Sequence, residues 1–175
     1  MIQYEIDPAH TRAHFKIRHL MVSNVRGEFS KVTGTVVFDA DNPGNSKLEA
    51  TIDASTVNTS EEARDTHLKS ADFLDVATFP TLKFVSKSVA KVGPETLKVV
   101  GDLTIHGVTK EVVLDVEGPT GEVKDPWGTM KAGASATTKI NRKDFGLTWN
   151  QALETGGVLV GEDITITLDV ELIRK

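Results

Sequence analysis

No cysteine occurs anywhere in the 175 residues, which excludes a disulfide framework, a thiolate nucleophile and a zinc–thiolate centre. No apolar stretch approaches the roughly 20 residues that a membrane-crossing helix needs. There is no long run of either charge. The 25 acidic and 20 basic side chains leave a net charge of −5, without the clustered basic face of a nucleic-acid-binding protein. The N-terminal MIQYEIDPAH has neither a basic nor an apolar signal-peptide region. The expectation is a cytoplasmic protein, or a periplasmic one if a leader has been removed. Also missing are a G-x-S-x-G elbow, a P-loop, a dinucleotide fingerprint and an H-E-x-x-H helix. Their absence lowers the case for an enzyme without closing it, because a catalytic triad is defined by geometry.

What is present is alternation with period two. Leu97 to Val116 reads as two alternating runs either side of His106-Gly107, a two-residue X-Gly connection that signals a tight hairpin. Counting outward pairs Ile105 with Val108, Gly101 with Val112, Val99 with Leu114 and Leu97 with Val116 on one face. Thr104 meets Thr109 and Lys98 meets Asp115 on the other, both favourable cross-strand pairs. A slip of one residue would invert every apolar position, so the register is pinned. Asp102 opposite Glu111 is like-charged, and Lys110 opposite Leu103 must snorkel outward.

Further strands are expected at Gln3–Asp7, Ala13–Leu20, Arg26–Phe38, Leu48–Ala54, Leu82–Val89, Met130–Ile140 and Asp163–Ile173. Gly27 and Gly34 read as bends or bulges in one long curved strand. Thr59-Ser60-Glu61-Glu62 fits a capping box that opens a helix over Ser60–Lys69, followed by a short turn over Ala71–Val76. This insertion of about 25 residues makes a lid on a β-body, since no helices alternate with the strands. Met130–Ile140 is unusually small in its side chains, with Ala132, Ala134 and Ala136 on one face, and leaves space inside. The last strand is the cleanest, with Ile164, Ile166, Leu168, Val170 and Leu172 facing inward.

About eight antiparallel strands avoid exposed edges best by closing into a barrel. The expected fold is therefore all-β, one domain over residues 1–175, an antiparallel barrel around an apolar ligand with a short helical lid. The histidines offer little metal chemistry, because His10 and His14 would need His67 or His106 to converge on them, and no metal is expected. Arg64, Asp65 and His67 form a charged cluster on the lid, either a solvated face or a polar rim near a ligand head group. Phe84 and Trp149 are either core or ligand wall.

Several short segments stand in a fixed order along the chain. They are Ile6-Asp7-Pro8-Ala9-His10 with Phe15 and His19, then Gly27-Glu28-Phe29 with Gly34. Next come Arg64-Asp65-Thr66-His67-Leu68 with Ser70, Asp72 and Phe73, and Phe79-Pro80 with Phe84. Gly101-Asp102-Leu103-Thr104 with Gly107 and Thr109, and Asn141-Arg142 with Phe145-Gly146-Leu147, complete the series. Taken in order, these segments resemble the YceI-like family of polyisoprenoid-binding, lipocalin-like proteins. The resemblance implies an eight-stranded lipocalin-like barrel with a helical flap and a long isoprenoid ligand, such as a quinone tail or a polyprenyl lipid. It supplies no catalytic residues and no required cofactor.

On this reading Phe15, Ile17, Phe38, Phe84, Ile105, Ile166 and Leu168 line the tunnel, with Ala134 and Trp149 also on its wall. His19, Arg64 and His67 sit nearer the head group. The competing readings are an enzyme using His19 or His67 as general base on a hydrophobic small molecule, and a protein-interaction module. A homodimer through a strand edge or the flap is a further expectation.

Overall fold

A computed structural model describes all of Met1–Lys175. Its strands are β1 (Ile2–Ile6), β2 (Arg12–His19), β3 (Ser23–Phe29), β4 (Val32–Phe38), β5 (Lys47–Asp53) and β6 (Thr81–Lys91). They continue with β7 (Thr96–Ile105), β8 (Val108–Glu117), β9 (Val123–Lys124), β10 (Met130–Asn141) and β11 (Val160–Arg174), and the one α-helix is α1 (Glu62–Lys69). Eight strands form a closed antiparallel ring in the order β11-β1-β4-β5-β6-β7-β8-β10, and β10 pairs back onto β11. The lipocalin-like barrel expected from the sequence is the one observed. No helix is long and apolar enough to cross a membrane.

β1 and β2 share one side of β11 in tandem. β1 pairs at Leu172–Arg174 and β2 at Val160–Asp169, so the β2–β3 hairpin prolongs the wall beyond β1 and β4. The stretch expected as one curved strand over Arg26–Phe38 is in fact two, broken at Ser30-Lys31. Neither glycine in it is a bulge: Gly27 pairs in register with Phe15 and Gly34 with Ala50. Both are needed for close approach. A Cβ at Gly27 would run into the Phe15 ring, and one at Gly34 into the β5 backbone at Glu49 and Ala50.

The central hairpin has the register counted from its sequence at every pair, with Thr104 and Thr109 hydroxyls 2.7 Å apart and Lys98 3.2 Å from Asp115. The like-charged pair is settled from a third strand. β6 shifts register between Ser86 and Ser88, and Lys87, on that bulge, reaches Glu111 at 2.6 Å and Asp102 at 3.6 Å.

The lid helix begins later than its sequence suggests, because Ser60 has φ +63° and cannot open it. Glu61 is the cap, accepting from the Ala63 amide, and the Thr59–Glu62 capping box does not form. Thr59 is used otherwise: its hydroxyl donates to Asp65 at 2.6 Å and accepts from Arg64 Nε at 2.8 Å.

Pro8 stops β1, and the turn that follows is held by a charge cluster. The buried Asp7 carboxylate accepts from the Ala9 amide (2.9 Å) and Lys131 Nζ (3.2 Å), and lies 2.9 Å from His10 Nδ1; Lys131 also donates to Glu171 at 2.6 Å. Burial alone would raise the Asp7 pKa. The hydrogen bonds from His10, Ala9 and Lys131 outweigh it and bring the carboxyl down to about 2. The ionised form is favoured in the folded state, so its contribution is present above the unfolded value near ~4 and is lost as pH falls toward 2. Asp7→Asn should therefore cost roughly 2 kcal/mol at neutral pH, with the gap to wild type closing by about pH 2. Urea melts of both proteins across that range check it; a gap independent of pH contradicts the assignment.

Candidate functional site

Alternation around a closed ring sends one face of every strand inward, and here those faces are apolar almost without exception. β11 contributes Ile164, Ile166, Leu168, Val170 and Leu172; β7 contributes Leu97, Val99, Leu103 and Ile105; β5 contributes Leu48, Ala50 and Ile52. They do not fill the barrel. Only 27 of 175 residues are buried, and Ile164 to Val170 on the inner face of β11 are merely half-buried, because they border a void. That void is a cavity of about 580 Å³, inside the range of about 300–1,000 Å³ found for small-molecule sites. β10 makes the room: Ala134 stands opposite Val170 and Ala136 opposite Leu168, where larger side chains would meet. The cavity runs the length of the barrel, from Phe38, Lys47 and Val116 at one end to Ile17, Arg142 and Val160 at the other.

All twelve residues named from the sequence lie on this one wall: Phe15, Ile17, His19, Phe38, Arg64, His67, Phe84, Ile105, Ala134, Trp149, Ile166 and Leu168. Ser46 and Lys47 line one end of the cavity, and a larger group of basic side chains lines the end beneath α1. Arg18, His19, Arg64, His67 and Arg142 line it, and no Asp or Glu lines the cavity at all. Arg64 is pinned by Thr59, Nε to the hydroxyl and Nη2 to the carbonyl at 2.9 Å, which leaves Nη1 without a protein partner. His67 Nε2 lies 2.8 Å from Asp72 Oδ2, and its ring stands edge-on to Phe73 and Trp149 with centroids 5.0 and 4.7 Å away. Trp149 and Phe73 are themselves 5.3 Å apart, so the flap and the loop after β10 meet through an aromatic cluster. His19 makes no side-chain hydrogen bond.

The histidines considered together do not converge. His10 is instead grouped with Asp7 and Glu171, their ligating atoms within 4.8 Å of one another. The Lys131 ammonium already supplies a cation to both carboxylates there.

The family model described as the YceI-like domain matches residues 4–172. A UPF0312 protein of Staphylococcus aureus is 44% identical over 172 residues, covering 98% of this chain and 97% of its own length. The crystal structure of a Campylobacter jejuni YceI protein is 36% identical with a TM-score of 0.73, covering 91% of each chain. A polyisoprenoid binding domain from Saccharophagus degradans, implicated in plant cell wall breakdown, has a TM-score of 0.71 at 13% identity, covering 100% of both chains. At that identity the likeness concerns the fold.

Sequence reasoning left one structural residue of the site without a role. Arg142, 1% exposed, has no carboxylate within ion-pair distance, and it donates to the carbonyls of Leu147 (2.6 Å), Gly161 (2.7 Å), Trp149 (2.9 Å) and Val160 (3.3 Å). Burial lowers its pKa, opposed by the nearby charge of Glu162. Its single side chain thus gathers both ends of the loop from Leu147 to Val160 that rims the cavity. Only its place after Asn141, at the head of a 3₁₀ turn, hints at this in the sequence. Arg142→Leu should leave those acceptors unpaired and cost about 3 kcal/mol or more. Limited proteolysis should then cut first within residues 148–159, and an unchanged cleavage pattern would remove Arg142 from this role.

Proposed function

The chain belongs to the YceI-like family, and from that premise we propose that it is a non-catalytic carrier holding a long isoprenoid inside the barrel, either the tail of a quinone or a polyprenyl lipid. The observation that carries the reading is the cavity itself, long, apolar, unfilled and free of carboxylates along its wall. A prenyl chain offers only methyl, methylene and alkene surface, so it needs a greasy tunnel and nothing more. At roughly 0.8 kcal/mol per buried methylene-sized group, each five-carbon unit contributes roughly 4 kcal/mol before ordering costs. The solved domain from Saccharophagus degradans, named for polyisoprenoid binding, has the same barrel and adds weight to this choice of ligand.

For direction, the Arg64 guanidinium and the His19 and His67 imidazoles favour the flap end over the end at Ser46 and Lys47. The tail lies among Phe38, Phe84, Ile166 and Leu168, and the head lies at the flap end beside His19, Arg64 and His67. Two anchored side chains, Arg64 on Thr59 and His67 on Asp72, hold the rim in place.

The test is uptake of geranylgeraniol from detergent micelles, read by co-elution with the protein. Wild type should retain the alcohol. Ala134→Trp, which places an indole where β10 keeps the barrel hollow, should lower uptake at least about tenfold while the thermal midpoint stays within a few degrees. A folded Ala134→Trp protein that takes up as much as wild type would contradict the placement of the ligand.

A further inference from the structure

The β2–β3 hairpin breaks several rules at once, and all the breaches lie at one end. Its tip is Leu20-Met21-Val22, 41%, 53% and 75% exposed, three consecutive apolar side chains in water. Leu20 and Met21 also sit at φ +53° and +63°, a conformation that disfavours bulky residues and that hairpin loops normally assign to Gly or Asn. On the shaft below the tip, Lys16 pairs directly with Arg26, like charge against like charge. Neither makes an ion pair, and nor does Arg18, whose guanidinium only reaches the Met21 carbonyl at 3.3 Å. From Phe15 to Gly27 there are three full cations and no carboxylate, in a chain of net charge −5.

This hairpin stands at the mouth of the cavity. The Leu20 amide donates to the Leu159 carbonyl at 2.8 Å, and His19 pairs with Val160. Ile17, His19, Leu159 and Val160 all line the cavity, so apolar surface runs from the tip into the tunnel. An apolar tip above a basic collar is the arrangement of an interfacial anchor, in which side chains enter the acyl boundary while cations face anionic head groups.

We propose that Leu20-Met21-Val22, with Lys16 and Arg26, docks the barrel mouth on an anionic membrane surface, so that a prenyl chain passes between bilayer and cavity without crossing water. This rests on the carrier reading for its purpose but is tested apart from it. Co-sedimentation would compare phosphatidylcholine vesicles with and without phosphatidylglycerol. Wild type should sediment with the anionic vesicles, less so at high salt. Leu20→Ser/Met21→Ser/Val22→Ser and, separately, Lys16→Glu/Arg26→Glu should each bind them roughly tenfold or more weakly. Both variants should take up geranylgeraniol from micelles as wild type does. That control reports on the carrier reading alone, and its failure in wild type would leave the vesicle result standing. Three results would overturn the docking: wild type remaining in the supernatant, equal binding to both vesicle compositions, or a triple-serine variant that sediments like wild type. A triple variant that turns a dimer into a monomer, with vesicle binding unchanged, would make the tip a contact between protomers and overturn it equally.

Discussion

The pairing of β10 with β11, unbroken from Lys131–Ile173 to Asn141–Asp163, is the constraint on which the other features depend. It turns an open sheet into a ring and removes the edges that a long antiparallel sheet would otherwise expose. It also sets the strand with the smallest side chains beside the strand with the most regular apolar ones. Ala134 and Ala136 against Val170 and Leu168 cannot fill an eight-stranded barrel, so closure leaves a hollow of about 580 Å³. At the far end the same two strands converge on Arg142, which follows β10 directly and gathers the carbonyls that rim the cavity. Closure, hollowness and the shape of the mouth thus have one origin.

The hollow interior departs from the usual close packing of protein cores. Its wall residues give up part of the stabilisation that full burial would bring. The compensation lies in the wall itself: ladder pairing around the ring, the aromatic and aliphatic cluster near Phe29, Val32 and Phe145, and the ion cluster that half-buried Lys131 and Glu171 form with buried Asp7. A barrel stabilised by its wall keeps its interior available. Two distinct groups meet at the mouth, the flap with its anchored Arg64 and His67, and the β2–β3 hairpin with its exposed tip.

Much of this was legible because period two is a strong signal. The central hairpin follows from counting outward from His106-Gly107, and the twelve wall residues follow from alternation together with the family resemblance. What escaped depends on contacts between distant segments. Asp102 opposite Glu111 looks like a defect until the β6 bulge brings Lys87 across, and no local pattern announces that bulge. The Thr59–Glu62 spacing matches a capping box, yet Thr59 is claimed by Arg64 and Asp65 and Ser60 adopts positive φ. Gly27 and Gly34 read as bends or bulges from the sequence, whereas each makes room for a neighbour. Arg142 looks like an ordinary surface cation until its carbonyl partners, up to nineteen residues away, are folded around it.

The central claim is that the cavity exists to hold a prenyl chain. Native mass spectrometry of protein purified without detergent, followed by organic extraction of the same sample, tests it most directly. The account predicts an added mass that extraction removes and that fragments in isoprene-unit steps. Protein of bare chain mass, which also fails to retain an added polyprenol, would contradict it.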